Sequence, residues 1–402
     1  MSSDKICPEC SQQFTTLRWY KPCNSKHFKD NFDKWTSRNE TIDKIIQNTQ
    51  LNANRNWRAI EWIPYDRLKY IKQLAKGGFG TIHLAEWFDG YGQQKVVLKK
   101  FYNFANLNEE FLNEMVIHLK TSYRNASIQF YGITQDLETH KYIMVLSYAD
   151  GGNLRNYLKS NFNNLNWKKK LLNLCYLVDI FRNIHELDIL HKDLHPGNIL
   201  SYDFNHPHNL NISDFGLKVL GGEEYTKAAD VYSFGIVAYE IVTGLSPYYD
   251  IPHNKDLAMK ICNGLRPKIP FHVSKLITRI IMYCWDARVT HKPTFKELYN
   301  KLSKYYSDYY YEYNEIAIQI KKAEEFSTST NAASTDTTIT TPLNYQTHPQ
   351  AIYTSRLLNF SSLPKPKNEE NFEKELDELT KSMDDLSTNK YQLYFLCYLI
   401  LE

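Results

Sequence analysis

Three oxygen-bearing side chains near the middle of the chain have the spacing of a phosphate-handling site. The loop HKDLHPGNIL (191–200) places Asp193 and Asn198 five residues apart, and Asp214 follows in the sequence ISDFG. A carboxylate can accept a proton from a hydroxyl group, and carboxylate and amide oxygens are ligands that Mg²⁺ prefers. The pattern therefore predicts that Asp193 accepts a proton and that Asn198 and Asp214 bind a magnesium ion that bridges phosphate groups.

Upstream residues add a second part to this pattern. The sequence KGGFGTI (76–82) lies at the turn of a predicted β-hairpin, where glycines let backbone N–H groups approach phosphate oxygens. Lys99 ends the predicted strand VVLK, and Glu114, on the next predicted helix, can supply the opposite charge. Taken alone, each of these is an ordinary turn or surface charge. In contrast, the ordered set of glycine turn, strand lysine, helix glutamate, H-x-D-x₄-N and D-F-G does not arise readily by chance.

The elements that would position these residues follow from hydrophobic periodicity. Alternating apolar residues predict strands, and apolar residues three and four apart predict helices. A β-rich lobe (65–149) followed by a larger helical lobe (150–306) is the expected arrangement, which makes the fold an α+β, bilobal domain. A helix and linker are expected at 31–64.

This ordered set resembles the eukaryotic protein kinase family over about residues 65–306. The motifs HKDLHPGNIL and AADVYSFG are similar to the tyrosine-kinase-like branch, particularly its expanded fungal sets, whose members mostly phosphorylate Ser and Thr. The resemblance implies ATP and Mg²⁺ as cofactors and a protein as substrate. A small-molecule kinase of similar fold is disfavoured, because residues 230–306 match protein kinases specifically.

The resemblance also implies a role for each matching residue. Asp193 would be the catalytic base, Lys99 would hold the α- and β-phosphates and pair with Glu114, and Asn198 and Asp214 would hold Mg²⁺. Leu146 would be the gatekeeper, and Asp230 would brace the catalytic loop. The residues expected around ATP are Leu74, Ala75, Lys76, Gly77, Gly78, Phe79, Gly80, Thr81, Ile82, Lys99, Leu146, Ser147 and Ala149.

Four single positions depart from the family pattern. Ala75 stands at the first glycine of the turn, where a methyl group is tolerable if φ stays negative. Lys192 replaces an arginine that normally pairs with a phosphorylated activation loop, and it lacks the bidentate fork. His195 replaces a lysine that contacts phosphate in Ser/Thr kinases, which weakens any prediction of whether the substrate hydroxyl belongs to Ser, Thr or Tyr. Lys292 replaces the arginine that pairs with the A-P-E glutamate.

The main departure is a short activation segment at 214–229. Only fifteen residues separate Asp214 from Asp230, which leaves no room for the activation loop and the A-P-E element. One explanation is a skipped exon or a faulty gene prediction, with the junction at Leu217–Val219. The alternative is a genuine pseudokinase that binds ATP and acts as a scaffold with weak or no transfer.

The N-terminal residues 1–30 contain a potential zinc site. Cys7, Cys10, Cys23 and His27 have zinc-compatible spacing, C-x₂-C-x₁₂-C-x₃-H. Proteins of the fungal set that the chain resembles often begin with a four-cysteine ribbon, and Tyr20 stands where the third cysteine would be. A degraded ribbon with free thiols is the alternative interpretation.

Composition and the C-terminal tail set the remaining expectations. The net charge of +3 gives no reason to expect nucleic acid as a partner, and seven cysteines without a secretory signal suggest a reducing, cytoplasmic location. The run YQLYFLCYLILE is too short to span a membrane. The tail (307–402) is expected to be disordered at 326–365. An amphipathic helix is predicted at 370–387, either solvated or bound to a partner, with its apolar residues at Phe372, Leu376, Leu379, Met383 and Leu386.

Overall fold

The fold is described from a computed structural model of the chain. The described residues are 7, 9–12, 19–77, 80–88, 92–102, 109–122, 126–216, 225–311, 314–332, 345–353 and 363–379. They divide into two compact units, one from the described parts of 1–150 and 211–218, the other mainly from those of 151–210 and 219–354. Among the helices of these ranges, none combines the length and the apolar character that crossing a membrane requires.

The first unit is built around a β-sheet. Its helices are α1 Lys21–Lys29, α2 Glu40–Asn52 and α3 Glu109–Ser122, and its strands are β1 Glu61–Trp62, β2 Leu68–Lys76, β3 Gly80–Phe88, β4 Gln93–Phe101, β5 Phe130–Gln135 and β6 Tyr142–Ser147. Within the described residues the sheet has the strand order β1-β5-β6-β4-β3-β2. The pairs are antiparallel except that β1 runs parallel to β5.

Strand β4 lies in the interior of this sheet, between β6 and β3, and the side chains that it buries on one face alternate along its sequence. Val96 and Leu98 are fully buried and belong to an apolar cluster with Ile143 and Val145 of β6. Side chains of alternate strand residues point to opposite faces. The intervening residues, Lys99 among them, therefore point to the other face of the sheet.

The second unit is mainly helical. Its helices are α4 Leu154–Asn161, α5 Trp167–Glu186, α6 Lys227–Thr243, α7 Lys255–Cys262, α8 Lys275–Trp285, α9 Phe295–Tyr310 and α10 Glu315–Ala332. A short strand, β7 Ile199–Ser201, lies in this unit, and β8 Leu210–Ile212 carries the chain back to the first unit. The predicted β-rich lobe and helical lobe are both confirmed.

Aromatic packing forms the core of the helical unit. The ring of Phe295 on α9 stacks on Phe181 of α5 at 5.1 Å and meets Phe234 of α6 edge-on at 5.7 Å. All three side chains are fully or almost fully buried. Helix α6 is apolar around most of its circumference, as expected for a helix enclosed by its neighbours. This packing holds the ends of α5 and α6, from which the site residues of this unit emerge.

The prediction of disorder over 326–365 is wrong in part. Helix α10 continues to Ala332, and residues 345–353 lie against the helical unit. Tyr345 donates its hydroxyl to Ser246 Oγ at 3.1 Å, and Tyr353 donates its hydroxyl to the Pro247 carbonyl at 3.0 Å. The composition of this segment suggested no core, but two tyrosines anchor it by hydrogen bonds. Residues 333–344 and 354–362 lie outside the described residues.

The predicted amphipathic helix at 370–387 is helical over 372–379, and the remainder lies outside the described residues. Phe372 and Leu376 are buried in a cluster with Met282 of α8. The apolar side of this helix is therefore covered by the chain's own helical unit. The expectation of a solvated helix is wrong for the described part.

Candidate active site

The register of the first unit's sheet places the predicted nucleotide-contacting residues on one face. Ile82 of β3 pairs with Lys99 of β4, and Val97, two residues before Lys99, pairs with Leu146 of β6. Directly paired residues project to the same face, and so do residues two apart on one strand. Ile82, Lys99 and Leu146 therefore share a face. Ser147 and Ala149 follow Leu146 and are buried.

The glycine turn closes the hairpin of β2 and β3 at the edge of this face. The Gly77 N–H donates to the Gly80 carbonyl at 2.9 Å, while Gly78 and Phe79 lie outside the described residues. A Cβ on Gly80 would lie 2.1 Å from the Lys100 carbonyl oxygen, so only glycine fits there. Ala75 has no left-handed φ, so its methyl group is accommodated where the family pattern has glycine.

Lys99 is the charged centre of the first unit. Only 7% of the residue is exposed, and its Nζ donates to Glu114 Oε1 at 2.5 Å and to Asp214 Oδ1 at 2.6 Å. Glu114, on α3, is also buried. Burial by itself would lower the pKa of Lys99, but attraction to the carboxylates of Asp214 and Glu114 more than offsets it, and the pKa lies above its usual range. We call these three residues the lysine cluster.

Asp214 differs from its two partners in exposure and in backbone conformation. About two-fifths of its side chain is exposed, and its φ of 54° lies in the left-handed region that non-glycine residues rarely adopt. Such strain persists where the surrounding structure enforces it, and it is concentrated at functional sites. Asp214 thus combines one buried ion pair with a carboxylate that solvent can reach.

His118 completes the packing behind the lysine cluster. It is fully buried on α3, one turn after Glu114, with its Nε2 3.6 Å from Glu114 Oε1. Its ring meets Phe215 edge-on at 5.7 Å and contacts Phe130 at 6.2 Å. His118 therefore connects the residue after Asp214 to the helix that carries Glu114.

The second unit holds the loop with the predicted base. The Asp193 N–H donates to His191 Nδ1 at 3.2 Å, and Asn198 Nδ2 donates to the Asp193 carbonyl at 2.9 Å. Asn198 Nδ2 also lies 3.3 Å from Asp193 Oδ2. Since the amide nitrogen of Asn198 faces Asp193, its amide oxygen is the atom directed elsewhere. His195 lies beside the base, with Nε2 3.9 Å from Asp193 Oδ1.

Asp230, at the start of α6, anchors this loop. It is fully buried and accepts the N–H groups of His191 at 2.9 Å and Lys192 at 3.2 Å, and it contacts His185 Nε2 at 2.9 Å. Burial by itself would raise the pKa of Asp230, but the bonds from His185 and His191 outweigh it, and the pKa lies below its usual range. Lys192 has a left-handed φ of 65°, which turns its N–H toward Asp230.

Tyr225 adds a further contact to Asp230. Its hydroxyl donates to Asp230 Oδ1 at 3.1 Å, and burial raises the pKa of this tyrosine above its usual range. The hydroxyl therefore stays protonated and acts as a donor. Tyr225 follows directly on residues 217–224, which lie outside the described residues.

Lys292 has a partner other than the one expected from the family pattern. Its Nζ donates to the Cys284 carbonyl at 2.9 Å and lies 5.0 Å from the centre of the Tyr232 ring. Burial lowers the pKa of Lys292 to about 8. A backbone carbonyl and an aromatic face thus replace the glutamate that the family pattern would supply.

The N-terminal cysteines form a cluster, but His27 is not part of it. The sulfur atoms of Cys7, Cys10 and Cys23 all lie within 4.8 Å of one another. His27 Nε2 lies 2.7 Å from Glu9 Oε1 instead. The structure therefore brings together three of the four predicted ligands, while the Glu9 carboxylate holds the imidazole of His27.

Sequence reasoning identified the charged members of both clusters and missed three supporting residues. The structure joins Lys99 with Glu114 and Asp214 in the first unit, and it joins Asp193 with Asn198 in the second. The missed residues are His118, His185 and Tyr225. For His118 and His185 the available signal was a polar residue among the apolar positions of a helix, whereas Tyr225 precedes α6 and gave no such signal.

Comparisons with known proteins agree with this geometry. The family described as protein tyrosine and serine/threonine kinase matches residues 68–224 and 219–302. Three similar proteins come from Dictyostelium discoideum. The "probable serine/threonine-protein kinase gdt4" is 28% identical in an alignment of 308 residues that covers 69% of this chain. The dual specificity protein kinases pyk3 and splA are 28% and 27% identical in alignments of 265 and 275 residues, which cover 60% and 59% of this chain.

The similarity covers only a small part of these relatives. It spans 18% of gdt4, 19% of pyk3 and 11% of splA.

Asp230→Asn tests the anchoring of the loop. Because a buried charged acceptor is lost, we expect the free energy of unfolding at pH 7 to fall by about 3 kcal/mol. The folded-state pKa of Asp230 is depressed, so its contribution is present above the unfolded pKa of about 3.9 and is lost as pH falls through the lower folded value. The difference between wild type and variant should therefore shrink below about pH 4.

Urea unfolding at several pH values between 7 and 3.5 measures this difference. The matched control is Asp188→Asn, which removes an exposed carboxylate bonded to Lys227 and should have no measurable effect. Equal effects of the two substitutions at pH 7 would contradict the anchoring role of Asp230.

Proposed function

The chain belongs to the protein tyrosine and serine/threonine kinase family, and from this premise we propose that it transfers the γ-phosphate of ATP to serine or threonine hydroxyl groups of proteins. Tyrosine hydroxyls are the further acceptors to test, since dual specificity kinases are among the similar proteins. The observation that carries the proposal is the lysine cluster, in which a buried lysine is charged and oriented by two carboxylates. The motifs HKDLHPGNIL and AADVYSFG support membership of the tyrosine-kinase-like branch, which is part of the same proposal. The proposal also includes action in the cytoplasm, which the cysteine content supports.

The residues present fit ATP and Mg²⁺. The backbone N–H groups of the glycine turn (76–82) would approach the phosphates, and Leu146 with Ser147 and Ala149 would line the adenine end. Asp214 has a solvent-reachable carboxylate, and Asn198 directs its amide oxygen away from Asp193. Carboxylate and amide oxygens suit Mg²⁺, so Asp214 and Asn198 would hold the ion, which would supply positive charge to the phosphate groups.

In this proposal each residue has one task. Lys99 donates to the α- and β-phosphate oxygens, and Glu114 keeps the lysine extended. The raised pKa of Lys99 keeps its ammonium charged at every physiological pH. Asp193 accepts the proton of the substrate hydroxyl as that oxygen bonds to the γ-phosphorus and the bond from the γ-phosphorus to the β–γ bridging oxygen breaks, which releases ADP. Bonds from its own N–H to His191 and from Asn198 to its carbonyl hold the backbone of the base in place.

A second function is favoured by one specific observation, the short segment between Asp214 and Asp230. The family matches in two pieces that overlap at residues 219–224, which supports the proposal that family residues are missing there. Such a chain would keep the nucleotide-binding residues and lose the platform for a protein substrate. It would then act as an ATP-binding scaffold with weak or no transfer.

Nucleotide binding is expected under both functions. Millimolar Mg·ATP should raise the midpoint of thermal unfolding, since a ligand at a hundred times its Kd stabilises by about 2.7 kcal/mol. Lys99→Met should abolish the shift, because it removes the ammonium group proposed to hold the α- and β-phosphates. Lys100→Met is the matched control, since this neighbour faces Asp136 and should leave the shift intact. An absent shift in the wild type would contradict the nucleotide site.

Phosphate transfer separates the two functions. With radiolabelled ATP and a general protein acceptor, Asp193→Asn should lower incorporation by about 10²- to 10⁴-fold, the usual contribution of a general base. Asp188→Asn, five residues earlier in the chain, should leave incorporation unchanged. If the wild type transfers no more than Asp193→Asn while Mg·ATP still binds, the scaffold function stands and the enzyme function falls.

We also propose that Cys7, Cys10 and Cys23 bind zinc. Thiolates are the form of cysteine that zinc binds, and three sulfur atoms this close together can share one ion. His27 would supply the fourth ligand after exchanging its contact with Glu9. The proximity of the three sulfur atoms supports this assignment over a degraded ribbon with free thiols.

Elemental analysis tests the zinc proposal. The purified chain should contain about one zinc ion, since one tetrahedral site accommodates one ion. Cys10→Ser should remove it, whereas Cys262→Ser, a free and partly buried thiol of the helical unit, should not. Zinc content that is absent in the wild type, or unaffected by Cys10→Ser, would favour the degraded ribbon.

A further inference from the structure

The tail of the chain returns to the helical unit and occupies a groove beside α8. We call residues 363–379 the tail segment. Its Lys367 N–H donates to the Cys262 carbonyl at the end of α7 at 2.9 Å. Gly264 lies against it, and a Cβ there would come within 2.5 Å of the Glu369 nitrogen. The tail segment therefore meets the groove backbone to backbone.

One polar side chain sets the register of this contact. Asn368 donates through Nδ2 to Asp286 Oδ1 at 2.9 Å and accepts the Ala287 N–H through Oδ1 at 2.7 Å. Asp286 is almost fully buried. Because both atoms of the amide are used, an aspartate or a leucine could not replace Asn368 without leaving a buried group unpaired.

Apolar contacts follow at helical spacing. Phe372 and Leu376 are buried against Met282 of α8, and Leu379 packs against the same cluster with Tyr283. Residues four and three apart share one face of a helix. The docked face therefore presents an asparagine followed by three apolar side chains in the pattern Asn-x₃-Phe-x₃-Leu-x₂-Leu.

The remaining surface of the groove is complementary in charge. Its wall includes Lys268 and Lys275, both exposed, together with Arg266. The tail segment contributes Glu375 and Glu378 to the same lining, and Arg288 pairs with Glu373. Basic groups of the wall and acidic groups of the helix thus line the same groove.

The tail segment does not fill the groove. A cavity of about 630 Å³ remains between the tail segment and the wall, lined by both. A contact that leaves such a gap stabilises the bound tail segment less than close packing of the same area would, because surfaces separated by a gap lose dispersion contacts. The intramolecular contact is therefore specific in register but incomplete in packing, which suits a contact that can be displaced.

We propose that this groove is a docking site for an acidic amphipathic helix of a partner protein, and that the tail segment occupies it until such a helix displaces it. The partner is identified by the chemistry above: an asparagine, three apolar residues at the same spacing and acidic residues between them. This mode of binding, a helix in a groove, is common in protein recognition. The proposal does not depend on phosphate transfer.

Competition from the tail determines the expected affinities. A segment tethered by a short linker has an effective concentration of about 1 mM. If the tail segment and a free peptide of the same sequence each bind the open groove with a Kd of about 10 μM, the peptide would bind the wild type about a hundredfold more weakly. Variants in which the tail segment leaves the groove should bind the peptide without this weakening.

The experiment uses the full chain and a fluorescent peptide with the sequence of residues 363–387. Binding is measured by fluorescence anisotropy to the wild type and to the double variant Phe372→Ser/Leu376→Ser. The double variant should bind at least tenfold more tightly. Ile352→Ser, at an exposed tail position outside the groove, is the matched control and should bind like the wild type.

Two further measurements locate the binding surface. Lys268→Glu/Lys275→Glu in the opened chain should weaken binding at least tenfold, and a peptide carrying serine at the two apolar positions should not bind. If the double variant does not fold, Asn368→Asp opens the groove by a different route. It places a carboxylate against Asp286 and should give the same gain in affinity.

Three outcomes would overturn the proposal. The first is equal binding of the peptide to the opened and wild-type chains. The second is binding that is insensitive to Lys268→Glu/Lys275→Glu. The third is a wild-type chain that dimerises with increasing concentration through exchange of the tail segment, as measured by light scattering. In that case the occupant is a second copy of this chain.

Discussion

The charge of Lys99 is the constraint on which the first unit depends. An ammonium group that is almost fully buried is unfavourable unless opposite charges surround it, and Glu114 and Asp214 both lie within hydrogen-bond distance. These three residues come from a strand, a helix and the segment after β8. The lysine cluster therefore ties three separate parts of the chain to one point. Removing Lys99 would take this cation away from both carboxylates, of which Glu114 is buried.

The second unit solves a similar problem with a single carboxylate. Asp230 receives two backbone N–H groups, a histidine and a tyrosine hydroxyl, all donated by residues outside α6. The left-handed φ of Lys192 is tolerated because the N–H that it redirects reaches this carboxylate. Each unit is thus organised by a buried ionic centre. Asp193 and Asp214, the residues proposed to accept the proton and to hold the metal, are more exposed than Lys99 and Asp230.

The parts of this arrangement that could be predicted from the sequence are those that depend on local order. Lys99, Glu114, Asp193, Asn198 and Asp214 have fixed spacing within motifs, and the strand register that brings Ile82 opposite Lys99 follows from alternation. His118 could not be predicted, because its role arises from Phe215, which approaches it from a distant part of the sequence. For the same reason the contact between His27 and Glu9 could not be predicted, since it depends on how the chain folds Glu9 against the imidazole. The tail was misjudged because low apolar content does not exclude anchoring by tyrosine hydroxyls and by one asparagine amide.

The short segment between Asp214 and Asp230 leaves both ionic centres intact. The two ion pairs of Lys99 are made with Glu114 and Asp214, and Asp230 contacts His185, His191, Lys192 and Tyr225. Neither centre needs a longer activation segment to neutralise its charges. A chain shortened there would keep the physical basis for binding nucleotide and for holding the base. What it would lose is the surface that positions a protein hydroxyl group, so nucleotide binding and phosphate transfer are separable properties of this chain.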